Sequence, residues 1–137
     1  MTDRAFIDTN ILVYTVDTAD PDRQQRALAA LDDPAFDFVV SAQVLGEFYV
    51  VVTRKLAHPL TEEDAAAQVA QLSRLPTVPI DGALATAAIG ASRRWKISYW
   101  DALIVEAARQ AMCSVVLSED LSATTAYDGL VIQNPFD

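Results

Sequence analysis

Ala5-Phe6-Ile7-Asp8-Thr9-Asn10-Ile11-Leu12-Val13-Tyr14-Thr15-Val16 sets the plan of the chain. Three apolar residues read as a short buried strand, Asp8-Thr9-Asn10 as the turn that ends it, and Ile11 to Val16 as the first turns of a helix. The same grammar repeats downstream. Pro21 suits a helix start, and Arg23 to Leu31 follows with Ala27, Leu28 and Leu31 on one expected inner side. Phe36 to Val40 reads as a second strand, with Ser41 as N-cap of a helix reaching about Leu56. In that helix Val44, Leu45, Phe48, Tyr49 and Val52 form a buried stripe. Thr61 and Asp64 have capping-box spacing before an alanine-rich helix to about Ser73.

Thr77 to Ile80 reads as a third strand, and Asp81 caps a helix ending near Arg93 and Arg94. Ser98 starts another helix, with Leu103, Ile104 and Ala107 facing inward. Val115 to Leu117 is β-branched and apolar enough for a buried strand, and Leu130 to Ile132 reads as the last one. Strands alternating with helices predict an α/β fold with a mainly parallel sheet. With 137 residues and neither repeat nor linker, residues 1–137 are expected to form a single domain.

The chain carries 10 Lys and Arg against 19 Asp and Glu, a formal charge of −9. Such a balance opposes broad attraction to phosphate, unless some carboxylates are gathered where a bound cation neutralises them. Cys113 is the only cysteine, which excludes an internal disulfide and a cysteine-based zinc site. The N-terminal residues lack a signal-peptide apolar region and no stretch has membrane-spanning character, so a cytoplasmic protein with no membrane association is expected.

Position gives four acidic residues a common destination. In open parallel sheets ligands bind at the carboxyl ends of strands. Asp8 follows the first strand and Asp120 the strand ending at Leu117, while Glu47 lies two turns into one helix and Asp101 in the first turn of another. Each has an ordinary alternative. Asp8 fits a turn or cap, Asp101 a capping box with Ser98, and Asp120 the cap of a short helix from Leu121. Glu47 stands in the apolar run Val44 to Val52, where an unpaired charge needs water, a basic partner or a metal. Glu119 competes with Asp120, since one-apart spacing lets only one face a site.

Phe6-Ile7-Asp8-Thr9-Asn10, Val44-Leu45-Gly46-Glu47-Phe48, Ser98-Tyr99-Trp100-Asp101-Ala102-Leu103-Ile104 and Leu117-Ser118-Glu119-Asp120-Leu121 together resemble the PIN-domain family, especially the toxin nucleases of toxin–antitoxin pairs. Val131-Ile132-Gln133-Asn134-Pro135-Phe136 is similar to that family's last strand and tail. The resemblance implies a three-layer α/β/α sandwich and hydrolysis of RNA with Mg²⁺, Mn²⁺ being the alternative. It implies Asp8, Glu47, Asp101 and Asp120 as the catalytic and metal-binding cluster, supported by Thr9, Asn10 and Ser118. Implied partners are RNA, a cognate antitoxin protein, and either a homodimer or a toxin–antitoxin hetero-oligomer. Hard divalent ions do prefer such oxygen ligands, and a nuclease of this kind needs neither histidine nor cysteine.

RNA contacts would then come from Arg93, Arg94 and Lys96, with Trp95 or Trp100 offering a stacking face, although Trp100 reads first as core. Arg54 and Lys55 read as helix-end cations, Met112 and Cys113 as core, and His58 as a loop residue without a role. Tyr14 packs either inside the domain or on a partner. Two other functions use related architecture: a catalytically inactive PIN-like binding module, and a phosphoacceptor receiver-like domain. The receiver needs a lysine after a late strand, yet no lysine follows Lys96.

Overall fold

Two runs without a polar side chain, Ala5-Phe6-Ile7 and Val115-Val116-Leu117, lie side by side in the middle of the sheet. This is a computed structural model, and it describes residues 2–122 and 127–137. Strands buried on both faces must be apolar throughout, which is why these two do not alternate. In chain order the described elements are β1 (Asp3–Ile7), α1 (Thr9–Tyr14), α2 (Pro21–Leu31), β2 (Phe36–Ser41), α3 (Ala42–Arg54), α4 (Glu62–Leu72), β3 (Thr77–Val78), α5 (Gly82–Trp95), α6 (Tyr99–Gln110), β4 (Val115–Leu117) and β5 (Val131–Gln133).

The five strands pair in parallel in the order β3-β2-β1-β4-β5. From β1 the chain steps outward through β2 to β3, then returns across the sheet to β4. Helices α1 to α4 pack among themselves, and α5 packs on α6. With right-handed crossovers the two groups cover opposite faces. The result is the three-layer α/β/α arrangement, with Phe6, Phe48, Leu103 and Val116 among the buried residues of its core. Among the described residues no helix is long and apolar enough to cross a membrane.

Five helices begin in the same way. The side chains of Asp20, Ser41, Thr61, Asp81 and Ser98 each accept a hydrogen bond from the amide three residues on. Each cap satisfies an orphan donor and contributes about 1 kcal/mol. Asp128 (φ 52°) and Gly129 (φ 90°) form a tight turn between the bridged residues Tyr127 and Leu130. Positive φ at both central positions is the geometry that favours Asp-Gly.

Several expectations need correction. The third strand stops at Val78 rather than Ile80, because Pro79 has no amide to give the ladder. The last strand is Val131–Gln133, one residue later than expected, since Leu130 closes the Asp-Gly turn. Leu28 is 51% exposed, because α2 is an outer helix and Ala27 is its only fully buried residue. Met112 is 81% exposed in the left-handed region (φ 60°), where the backbone leaves α6 and its side chain cannot turn inward. Cys113 is half-buried, and that burial pushes its thiol up to about 11.

Phe48→Ala is expected to lower unfolding free energy by about 3–5 kcal/mol in a urea titration, whereas Leu28→Ala stays within about 0.5 kcal/mol. Equal losses would show that α2 buries Leu28 in solution.

Candidate active site

Register brings the first parts of the site together. Ile7 pairs with Leu117, so the residues that follow, Asp8 and Ser118, emerge next to each other at the carboxyl ends of β1 and β4. From these strands the connections diverge to opposite faces, which opens a crevice. Ser118 Oγ donates to Asp8 Oδ2 at 2.7 Å, and Asp8 Oδ1 accepts the Thr9 amide at 2.7 Å. The Ser118 oxygen also accepts from the amides of Asp120 and Leu121, each at 3.2 Å. Asn10 fastens the two loops again. Its Nδ2 donates to Asp120 Oδ2 at 2.9 Å, and its Oδ1 accepts the Glu119 amide at 3.3 Å.

A pocket of about 440 Å³ opens above this junction. Asp8, Glu47, Asp101 and Asp120 all line it, Glu47 from α3 and Asp101 from α6. Asp17 and Glu119 line it too, and no lysine, arginine or histidine does so among the described residues. Burial pushes Asp8 up from 3.8 to about 6. The Ser118 and Thr9 bonds oppose that rise, while the charges of Asp120 and Glu47 add to it.

Sequence reasoning and structure part company at several side chains. Glu47 is exposed rather than embedded in an apolar surround. Helix α3 turns Val44, Phe48 and Val52 to the core, which leaves Gly46, Glu47 and Val50 on its open side. Glu119 and Asp120 both line the pocket, because the chain after Leu117 bends and does not alternate like a strand. They differ in partner. Glu119 forms an ion pair with Arg23, whose guanidinium lies 5.2 Å from the Tyr14 ring centre and 4.9 Å from that of Phe136. The alternative of a short helix capped by Asp120 falls partly on residues 123–126, outside the described residues.

Trp100 is not core: it is 63% exposed and lines the pocket. Position two of α6 sits at the crevice rim, where the inner face begins only at Ala102. Trp95 is covered instead, edge-on to Tyr127 at 5.4 Å with Arg94 and Arg109 over its ring. Arg93, Arg94 and Lys96 do not line the pocket, and Arg94 holds Asp128 through two bonds of 2.9 and 2.8 Å. Tyr14 is half-buried and lines the pocket. Sequence reasoning missed Gln43, Asp17 and Arg23. Gln43 was within reach, since it stands one turn before Glu47 on the same helix face. Nothing local links Arg23 to Glu119.

The donor set is all oxygen, which suits a hard divalent cation and not a soft one. Among the described residues no three acidic, histidine or cysteine side chains already enclose an ion position. Mg²⁺ tolerates this, because it keeps several waters and needs only one or two direct carboxylates. Thr9 Oγ1 is buried without a hydrogen-bond partner beside Asp8, as a group awaiting a ligand would be.

The Asp8 shift sets a pH dependence. The folded carboxyl at about 6 takes up its proton before the unfolded one at 3.8, so acidification favours the native state. Without divalent metal, stability should rise by about 1 kcal/mol from pH 7 to pH 5 through this group, and Asp8→Asn should remove the rise. Chemical denaturation in EDTA at the two pH values measures it; the same slope in the variant would assign the effect elsewhere.

The fold has counterparts. VapC20 of Mycobacterium tuberculosis, described as a sarcin-ricin loop cleaving toxin, has a similar structure at TM-score 0.67 and 20% identity, over 93% of this chain and 96% of that one. A toxin–antitoxin complex from Klebsiella pneumoniae gives 0.68 and 19%, over 96% and 97%. FitAB bound to a DNA fragment gives 0.70 and 21%, over 97% and 96%. No curated protein matches the sequence. The PIN domain family matches residues 5–126, nearly the whole length, and the chain belongs to that family.

Proposed function

We propose that this protein is a divalent-metal-dependent ribonuclease, an endonuclease, that acts as the toxin of a toxin–antitoxin pair. One observation carries the reading: Asp8, Glu47, Asp101 and Asp120 reach a single pocket from four separate parts of the chain, and among the described residues no basic side chain lines it. Alone, such a pocket would repel a phosphodiester. It becomes a phosphate site only with cations, so electrostatics and the donor set argue for the same requirement.

Asp8, Glu47, Asp101 and Asp120 would hold Mg²⁺ or Mn²⁺. The bound ion supplies a water of lowered pKa and offsets charge on the phosphate. The chain's own part is positioning. Ser118 and the Thr9 amide fix the Asp8 carboxylate, and Asn10 fixes that of Asp120. Arg23 pairs with Glu119, whereas the Asp120 carboxylate beside it accepts from the Asn10 side-chain amide. Arg93 and Lys96 are exposed and suit contacts to the phosphate backbone, whereas Arg94 is held by Asp128.

Among the similar structures are a sarcin-ricin loop cleaving toxin and a toxin–antitoxin complex, which supports the toxin reading and a cognate antitoxin for this chain. An acidic pocket suits an inserted arginine or lysine from such a partner. A homodimer or a toxin–antitoxin hetero-oligomer, a cytoplasmic location, and residues 1–137 acting as one domain belong to the same reading.

Purified protein should cut a structured RNA in Mg²⁺ or Mn²⁺ and leave it intact in EDTA. Asp8→Asn and Asp101→Asn should each reduce cutting at least about 100-fold with native circular dichroism. Unchanged cutting by both variants, or cutting in EDTA, overturns the proposal.

A further inference from the structure

The indole of Trp100 is the largest exposed apolar group that lines the pocket, at 63% exposure. It is held rather than loose. The Tyr99 ring meets it edge-on at 4.9 Å and 77°, and Gln43 Nε2 donates to the Trp100 carbonyl at 3.4 Å. The neighbouring residue is Asp101, whose amide is fixed by the Ser98 cap at 3.0 Å. Gln43 also lines the pocket, and its Oε1 is buried without a hydrogen-bond partner. A buried acceptor in that state is costly unless a ligand or a turn of the amide satisfies it.

We propose that Trp100 is a nucleobase platform and that Gln43 beside it reads the edge of the stacked base or its ribose hydroxyl. The proposal rests on the ribonuclease reading. Trp100 shares a cavity with Asp8, Glu47, Asp101 and Asp120, so whatever stacks on its indole belongs to the molecule whose phosphate those four carboxylates would handle. A flat aromatic face serves every base, and stacking supplies attraction that an acidic pocket denies to the backbone. Burial makes no use of this ring, since the apolar contact of α6 comes from Ala102, Leu103, Ile104 and Val105. Trp100 and Gln43 are thus specificity-determining residues, set apart from the carboxylates that face the reacting phosphate.

The chain has only two tryptophans, Trp95 and Trp100, and Trp95 is covered by Tyr127 and two arginines. Emission can therefore be assigned. In an Asp8→Asn background that does not cut, a 12-nucleotide single-stranded RNA of mixed sequence is titrated with Mg²⁺ present. Emission should be quenched, and Trp100→Phe should abolish most of the quenching while retaining affinity within about threefold. Trp100→Ala should raise Kd about tenfold by fluorescence anisotropy, and Gln43→Ala should flatten differences among oligo(A), oligo(U) and oligo(C).

With Asp8 restored, Trp100→Ala should raise KM more than it lowers kcat. Equal Kd and equal KM for Trp100→Ala, with cutting intact, overturn the platform and leave the nuclease standing. Tight RNA binding that depends on Trp100, without cutting under any metal, keeps the platform and removes the nuclease. If RNA neither binds nor quenches while an arginine-rich peptide quenches Trp100, the ring is a protein-docking surface and the proposal fails.

Discussion

One hydroxyl holds the centre of this molecule together. Ser118 Oγ donates to a buried aspartate and accepts two backbone amides, so it ties the end of β1 to the loop after β4. The strands it joins are 110 residues apart in sequence at this contact, and they meet only when the sheet has assembled. The pocket is therefore a product of the completed fold and not of any local segment. The same bond offsets part of the cost of burying Asp8, a cost that still shows in the raised position of its carboxyl.

Around that junction the acidic residues are sorted by partner. Glu119 is paired with Arg23, Asp120 with Asn10, and Asp8 with Ser118 and the Thr9 amide. Among the described residues the carboxylates of Glu47 and Asp101 have no such partner, and they come from helices on opposite faces of the sheet. The pocket thus combines anchored carboxylates at its base with adjustable ones at its walls. This suits a weakly chelated, largely hydrated ion better than a rigid cage.

Most of the framework was legible because it is written locally. The caps at Ser41, Thr61, Asp81 and Ser98 depend on residues three apart, and the central strands on uninterrupted apolar runs. The four pocket carboxylates were legible from their places after strands and near helix starts. What escaped depends on tertiary direction. Trp100 has the size of a core residue, yet its helix starts at the rim and turns the ring outward. Met112 is apolar but sits where the backbone passes through the left-handed region. Glu47 stands among apolar letters, but a helix has an open side that composition does not reveal. The Arg23–Glu119 pair joins residues 96 apart, and no local pattern announces it.

The sheet's two borders are very short. Strand β3 has two residues between Pro76 and Pro79, and β5 has three, with Pro135 soon after. A border of that length offers too few free amides and carbonyls to template another strand, and proline supplies no amide at all. Growth by strand addition, the route to fibrous aggregation, is closed at both sides.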